Sequence, residues 1–141
     1  MKTCQEVMTS NPVCCLPDET VNQVALKMKS EGVGSIPIIK NRNSYELVGI
    51  LTDRDLALKV VATCRNPTKM KISEVMRPNP FTCLQSDDLQ IALDVMAVHQ
   101  VRRIPVIDGN GRIVGIISQA DVATRIDEPE KTGELVAKIS K

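Results

Sequence analysis

Two pairs of side chains have the types and spacing to open a helix at a corner that can hold an anion on its backbone N–H groups: Thr52 with Asp55, and Ser118 with Asp121. In each, an aliphatic run containing glycine (residues 47–51 or 113–117) ends at a hydroxyl residue. An Asp follows three positions later, where an amphipathic run begins. That pattern predicts a strand turning directly into a helix. The hydroxyl residue is the N-cap and the Asp takes the third helical position, so free backbone N–H groups and the positive end of the helix dipole point into the space above the strand. Such a corner suits phosphate.

The same spacing also describes a capping box with Asp in place of Glu, a structural device for starting a helix. Capping and ligand binding both remain open for these residues. Arg54, Arg102 and Arg103 lie close enough in sequence to neutralise a phosphate, and each is equally suited to a solvated surface or a salt bridge. His99 is the single histidine, and a packing or surface role is expected of it. No Gly-x-Ser-x-Gly elbow, Walker loop or His-Glu-x-x-His motif occurs, so no enzyme activity and no catalytic residue are predicted. The five cysteines show no Cys-x-x-Cys spacing. Free, mostly buried thiols are expected rather than a metal site or a disulfide framework.

The elements that must position these residues repeat. Glu6-Val7-Met8 recurs as Glu74-Val75-Met76, Asn11-Pro12 as Asn79-Pro80 and Cys15-Leu16 as Cys83-Leu84, all at an offset of 68. Val21, Val24, Ala25 and Met28 mark one face of a helix, and Leu89, Ala92, Leu93 and Met96 mark another at the same offset. The runs 36–39 and 104–107 read as buried strands with a Pro near the start. The connections that follow differ by two residues, so the later offset is 66. The loop 108–111 (Asp-Gly-Asn-Gly) is a tight hairpin signal, which makes the flanking strands antiparallel neighbours. Closing helices are expected from Asp53 to about Ala62 and from Gln119 to about Ile126.

The fold class is therefore α/β of the α+β type: two β-α-β-β-α repeats packed sheet to sheet around a pseudo-two-fold, plus a C-terminal helix. The expected divisions are 1–64 and 72–126 for the repeats, 65–71 for a linker and 127–141 for the helix. One repeat alone is too small to bury enough surface for comfortable stability. Apolar helix faces exceed what one small sheet can cover, which predicts a homodimer.

Of the 141 residues, 43% are apolar, but there is one Phe, one Tyr and no Trp, so stacking of nucleobases on aromatics is not the expected binding device. A net charge of +1 gives no reason to expect a nucleic-acid or membrane-surface partner. No apolar stretch approaches 18 residues and no leader pattern is present, so a cytoplasmic protein is expected.

Taken together, the repeat resembles the cystathionine β-synthase (CBS) domain, and the chain is similar to a tandem pair of them, a Bateman module. The carriers are the Val-Met…Pro openings, the helices ending at Met28 and Met96, Ile36-Pro37 and Ile104-Pro105, and the two segments ending at Asp55 and Asp121. Thr52-Asp53-Arg54-Asp55 with the His99–Pro105 run is particularly similar to small stand-alone bacterial CBS-pair proteins, including the mycobacterial hypoxic-response type.

The resemblance implies no required cofactor and a ligand containing adenosine (AMP, ADP, ATP, NAD or S-adenosylmethionine) in clefts between repeats. By position it places Thr52, Asp53, Arg54 and Asp55 at one such site and Ser118 and Asp121 at the other. Adenine would lie against Ile36, Pro37, Ile104 and Pro105, and Arg102 and Arg103 could neutralise phosphate, in whichever of the two clefts the fold directs them to. A carboxylate can accept bonds from both ribose hydroxyls, and a capping hydroxyl can meet phosphate oxygens. Gln119-Ala120 stands where the first copy has Asp53-Arg54, so the second site lacks that nearby guanidinium. Two functions stay open: a nucleotide sensor that signals as a homodimer to an unidentified effector protein, and a ligand-free dimerisation scaffold.

Overall fold

The computed structural model describes residues 2–125. The chain divides into two compact units. One takes the opening segment as far as Pro12 together with the chain from Phe81 onward, and the other is Val13–Pro80. The expected C-terminal helix at 127–141 lies outside the described residues.

In the Val13–Pro80 unit, Thr20 caps helix α2 (Val21–Glu31) through a reciprocal capping box with Gln23. Gly32 closes the helix in the left-handed conformation, φ 65°. Val21, Val24 and Met28 bury the predicted stripe. Strands β2 (Ser35–Ile39) and β3 (Leu47–Thr52) pair antiparallel, and β4 (Arg77–Pro78) adds to β3, giving the order β2-β3-β4. Pro37 lies on the edge strand β2, where its carbonyl accepts the Cys15 N–H at 3.2 Å and its missing N–H costs no ladder bond. Helix α3 (Asp53–Leu56) starts at once and runs on in π register over Ala57–Val61, with the Ala62 N–H donating to the Ala57 carbonyl at 2.9 Å. The stretch expected to link the repeats carries a 3-10 turn at Pro67–Lys69 and buries Met70 in this unit's core beside Ile72 and Val75.

The other unit opens with helix α1 (Cys4–Val7), capped by Thr3 and Glu6, and strand β1 (Thr9–Ser10). It continues with β5 (Cys83–Leu84), α4 (Leu89–His99), β6 (Arg103–Ile107), β7 (Ile113–Ser118) and α5 (Gln119–Arg125). The sheet order is β1-β7-β6-β5. Pro105 lies in an interior strand, but β5 pairs only with Val106 and Ile107, so the residue without an N–H falls just before that ladder. The hairpin turn is held by Asp108, whose carboxylate accepts the N–H groups of Asn110 at 2.8 Å and Arg112 at 3.0 Å. Gly111 supplies the positive φ of 79°. The His99 ring stacks on Phe81 with centroids 3.7 Å apart.

Compact unit and sequence repeat divide the chain differently. The opener of each repeat, around Met8 or Met76, packs in the unit formed by the rest of the other repeat. Glycine makes room for it. A Cβ at Gly49 would lie 2.6 Å from the Met76 sulfur, and one at Gly115 would strike the Met8 side chain. The glycine of each Val-Gly-Ile run therefore lets the crossing strand lie flat on its neighbour, with Gly49 paired to Pro78 and Gly115 to Ser10.

Candidate functional site

Thr52 ends β3 in extended conformation and begins α3, so its side chain and that of Asp55 meet across one turn. The Thr52 hydroxyl accepts the Asp55 N–H at 3.2 Å, and Asp55 Oδ2 accepts the Thr52 N–H at 3.0 Å. The capping box is complete. Asp55 is 2% exposed, the only charged side chain among the fully described buried residues. Its second oxygen, Oδ1, accepts from Arg77 Nε at 2.9 Å and lies 3.8 Å from Lys59 Nζ. The Lys59 ammonium also donates to the Val75 carbonyl at 3.0 Å.

Burial pushes the Asp55 carboxyl upward. The Thr52 N–H, the Arg77 guanidinium and the Thr52 hydroxyl together outweigh it and hold the group below its ordinary value of 3.8. The result is a buried, ionised carboxylate. The Thr52 N–H, the Thr52 hydroxyl and the Arg77 guanidinium together leave it only part of the roughly four acceptor sites of a carboxylate.

Of the other predicted residues in this unit, Asp53 and Arg54 are exposed. The Asp53 N–H donates to the Gly34 carbonyl at 2.9 Å, and its carboxylate accepts the Arg54 N–H at 2.8 Å. Ile36 and Pro37 are buried on β2, with Ser35 paired to Thr52 and Ile36 to Leu51. The cations at Asp55 are thus Arg77 and Lys59 rather than the adjacent Arg54.

The second pair has the same geometry in the other unit. The Ser118 hydroxyl accepts the Asp121 N–H at 3.2 Å, and Asp121 Oδ2 accepts the Ser118 N–H at 3.0 Å. Asp121 Oδ1 accepts from the Thr9 hydroxyl at 2.9 Å. Arg103 is half-buried and pairs with Ser118 across β6 and β7, while the exposed Arg102 accepts the Gln119 N–H on its carbonyl at 3.2 Å. Ile104 and Pro105 are buried. The Gln119 side-chain nitrogen is buried without a hydrogen-bond acceptor among the described residues.

Sequence reasoning missed Thr9 and Arg77, which hold the two motif carboxylates. The signal was present: each follows the repeat's methionine, Met8 or Met76, at the offset of 68. What sequence could not supply was the exchange of openers that carries each one to the other repeat's Asp.

The sequence profile of the CBS domain matches this chain twice, over residues 4–62 and 72–128. The chain belongs to the CBS-domain family. Hypoxic response protein 1 of Mycobacterium tuberculosis is 34% identical to this CBS pair over 128 residues, 91% of this chain and 87% of its own length. Among solved structures, Hypoxic Response Protein I with two coordinated zinc ions shares 32% identity with a TM-score of 0.78, covering 89% of this chain and 99% of its own. The AMP complex of CBSX2 shares 25% identity with a TM-score of 0.73, covering 87% of this chain and 94% of its own. The fold is that of the CBS repeat. Among the described residues, no group of three or more His, Cys, Asp and Glu is placed to hold a metal ion, and no helix is long and apolar enough to cross a membrane.

Proposed function

We propose that this CBS pair is a regulatory module that binds an adenosine-containing ligand (AMP, ADP, ATP, NAD or S-adenosylmethionine) and passes that state to an effector protein without catalysing a reaction. The observation that carries this reading is the ionised Asp55 carboxylate, buried behind the Thr52 cap yet retaining acceptor capacity. A carboxylate so placed suits the two hydroxyls of a ribose. The AMP complex of CBSX2 supports the ligand class.

In this reading Thr52, Asp53, Arg54 and Asp55 with Ile36 and Pro37 serve one nucleotide, and Ser118, Asp121, Arg102, Arg103, Ile104 and Pro105 serve a second. The module works as a cytoplasmic homodimer.

A scaffold reading draws on a specific observation too: both motif carboxylates are already engaged by their own caps and by Arg77 or Thr9. A panel of the five ligands, scored by the shift in unfolding midpoint, separates the two. A ligand at a hundredfold excess over its dissociation constant adds about 2.7 kcal/mol. The sensor reading expects at least one ligand to raise the midpoint and Asp55→Ala to remove most of that rise. No shift with any of the five at millimolar concentration decides for the scaffold.

A further inference from the structure

We infer that Cys4 and Cys83 are a redox-sensitive pair, closed by an oxidant of the peroxide class into an intramolecular disulfide that fastens the opening segment to its unit. The pair needs no ligand at either motif.

Both cysteines lie in one compact unit and in one apolar cluster, Cys4 0% and Cys83 3% exposed. The backbone brings their segments together. The Cys4 N–H donates to the Asp87 carbonyl at 2.9 Å and the Gln5 N–H to the Gln85 carbonyl at 3.0 Å, so α1 lies along the chain that leaves β5. The same frame recurs 68 residues on: the Ile72 and Ser73 N–H groups donate to the Glu19 and Pro17 carbonyls at 2.9 and 3.0 Å. In that unit the places of Cys4 and Cys83 are held by Ile72 and Cys15, members of one cluster. An isoleucine against a thiol meets the packing need there. The unit containing β5 sets thiol against thiol.

The contact between the thiols divides their roles. Cys83, donating toward the Cys4 sulfur, is the main cause that holds Cys4 below its ordinary 9.0; burial and Asp87 oppose it without cancelling it, and the same contact pushes Cys83 up. Cys4 is therefore the thiol that supplies thiolate. Otherwise the two sulfurs donate only weakly, to the Asp88 carbonyl at 3.9 Å and the Pro105 carbonyl at 4.0 Å, so little holds them apart. A peroxide needs only local opening of the one-turn α1 to reach them. The Cys4 thiolate attacks one peroxide oxygen, the O–O bond breaks, and the departing hydroxide takes up the proton Cys4 released, leaving a sulfenic acid. The Cys83 sulfur then attacks the Cys4 sulfur, the S–O bond breaks, and hydroxide leaves as water with the Cys83 proton. Two thiols and one peroxide thus give one disulfide and two waters.

The test treats the folded full chain, carrying Cys64→Ser to remove the exposed thiol, with hydrogen peroxide. The product is unfolded, its remaining thiols are alkylated, and it is cut without reduction by trypsin, which does not cleave before Pro78. We expect peptides 3–27 and 72–102 to be joined, with fragmentation assigning the bond to Cys4 and Cys83 and leaving Cys14 and Cys15 alkylated. Dithiothreitol should reverse the bond, and Cys4→Ala or Cys83→Ala should abolish it. Closing so long a loop restricts mainly the unfolded chain, so the oxidised protein should unfold at a higher denaturant concentration than the reduced one. The assignment by fragmentation does not depend on either variant folding. Joined peptides that pair Cys83 with Cys14 or Cys15, peroxide that leaves all four thiols alkylatable, or an oxidised midpoint no higher than the reduced one would overturn the inference.

Discussion

Asp55 carries two loads, the start of α3 and the anchoring of Arg77, and its titration reports both. Its folded value lies below the ordinary 3.8, so the stability it contributes is present in full above that value and is lost as pH falls through the lower folded one. Asp55→Asn should flatten the loss of stability below about pH 4, measured by denaturant unfolding across a pH series. A wild-type slope in the variant would show that another group governs the acid limb. At pH 7, Asp55→Ala should cost about 1–2 kcal/mol, the loss of one side of a cap plus one hydrogen bond to a half-exposed guanidinium. The thiols differ as sharply. Cys4, Cys14, Cys15 and Cys83 are buried and Cys64 is exposed. Burial pushes Cys14 and Cys15 up to about 11. A thiol reagent at neutral pH should therefore modify one cysteine rapidly and the other four only on unfolding, and fast labelling of two or more would contradict this burial. The Thr52 and Asp55 pair could be read from spacing because a capping box is local chemistry. Arg77 could not, because its contact with Asp55 spans 22 residues and depends on which unit its strand joins.

The elements that position the site depend on two close approaches that a sequence shows only as glycines in strands. At Gly49 an added methyl meets the Met76 sulfur at 2.6 Å and the Arg77 carbonyl at 3.1 Å, so the strand carrying Arg77 must shift or Met76 must move aside. Gly49→Ala should destabilise by about 1–3 kcal/mol. Met76→Ala removes the nearest obstacle, and the double variant should cost less than the sum of the singles, a non-additivity readable in a denaturant double-mutant cycle. Additive costs would mean the backbone carbonyl, not the methionine, sets the limit. Both long helices follow from their apolar stripes, and the antiparallel hairpins β2-β3 and β6-β7 from their β-branched runs. Helix α1 and the π-register turn at Ala57–Val61 carry no such signature. The first is only one turn long, and the second differs from an α-helix by hydrogen-bond register alone, which periodicity over five residues does not resolve.

At the scale of the whole molecule, the repeat offset of 68 makes the architecture readable and also hides its main surprise. Moving both openers together, each into the unit of the other repeat, leaves every repeat distance unchanged, so no spacing in the chain distinguishes exchanged openers from local ones. The exchange makes each motif depend on a residue from the opposite repeat, Asp55 on Arg77 and Asp121 on Thr9. A homodimer should appear in sedimentation at tens of micromolar, and a monomer persisting there would contradict the proposed assembly. The measurement that bears most directly on function is calorimetric titration of AMP into the wild type, Asp55→Ala and the Asp55→Ala, Asp121→Ala double variant, with each variant's folding checked by its ligand-free midpoint. The account predicts saturable binding to the wild type, weakened in the single variant and absent from the double. AMP binding undiminished in the folded double variant would contradict it.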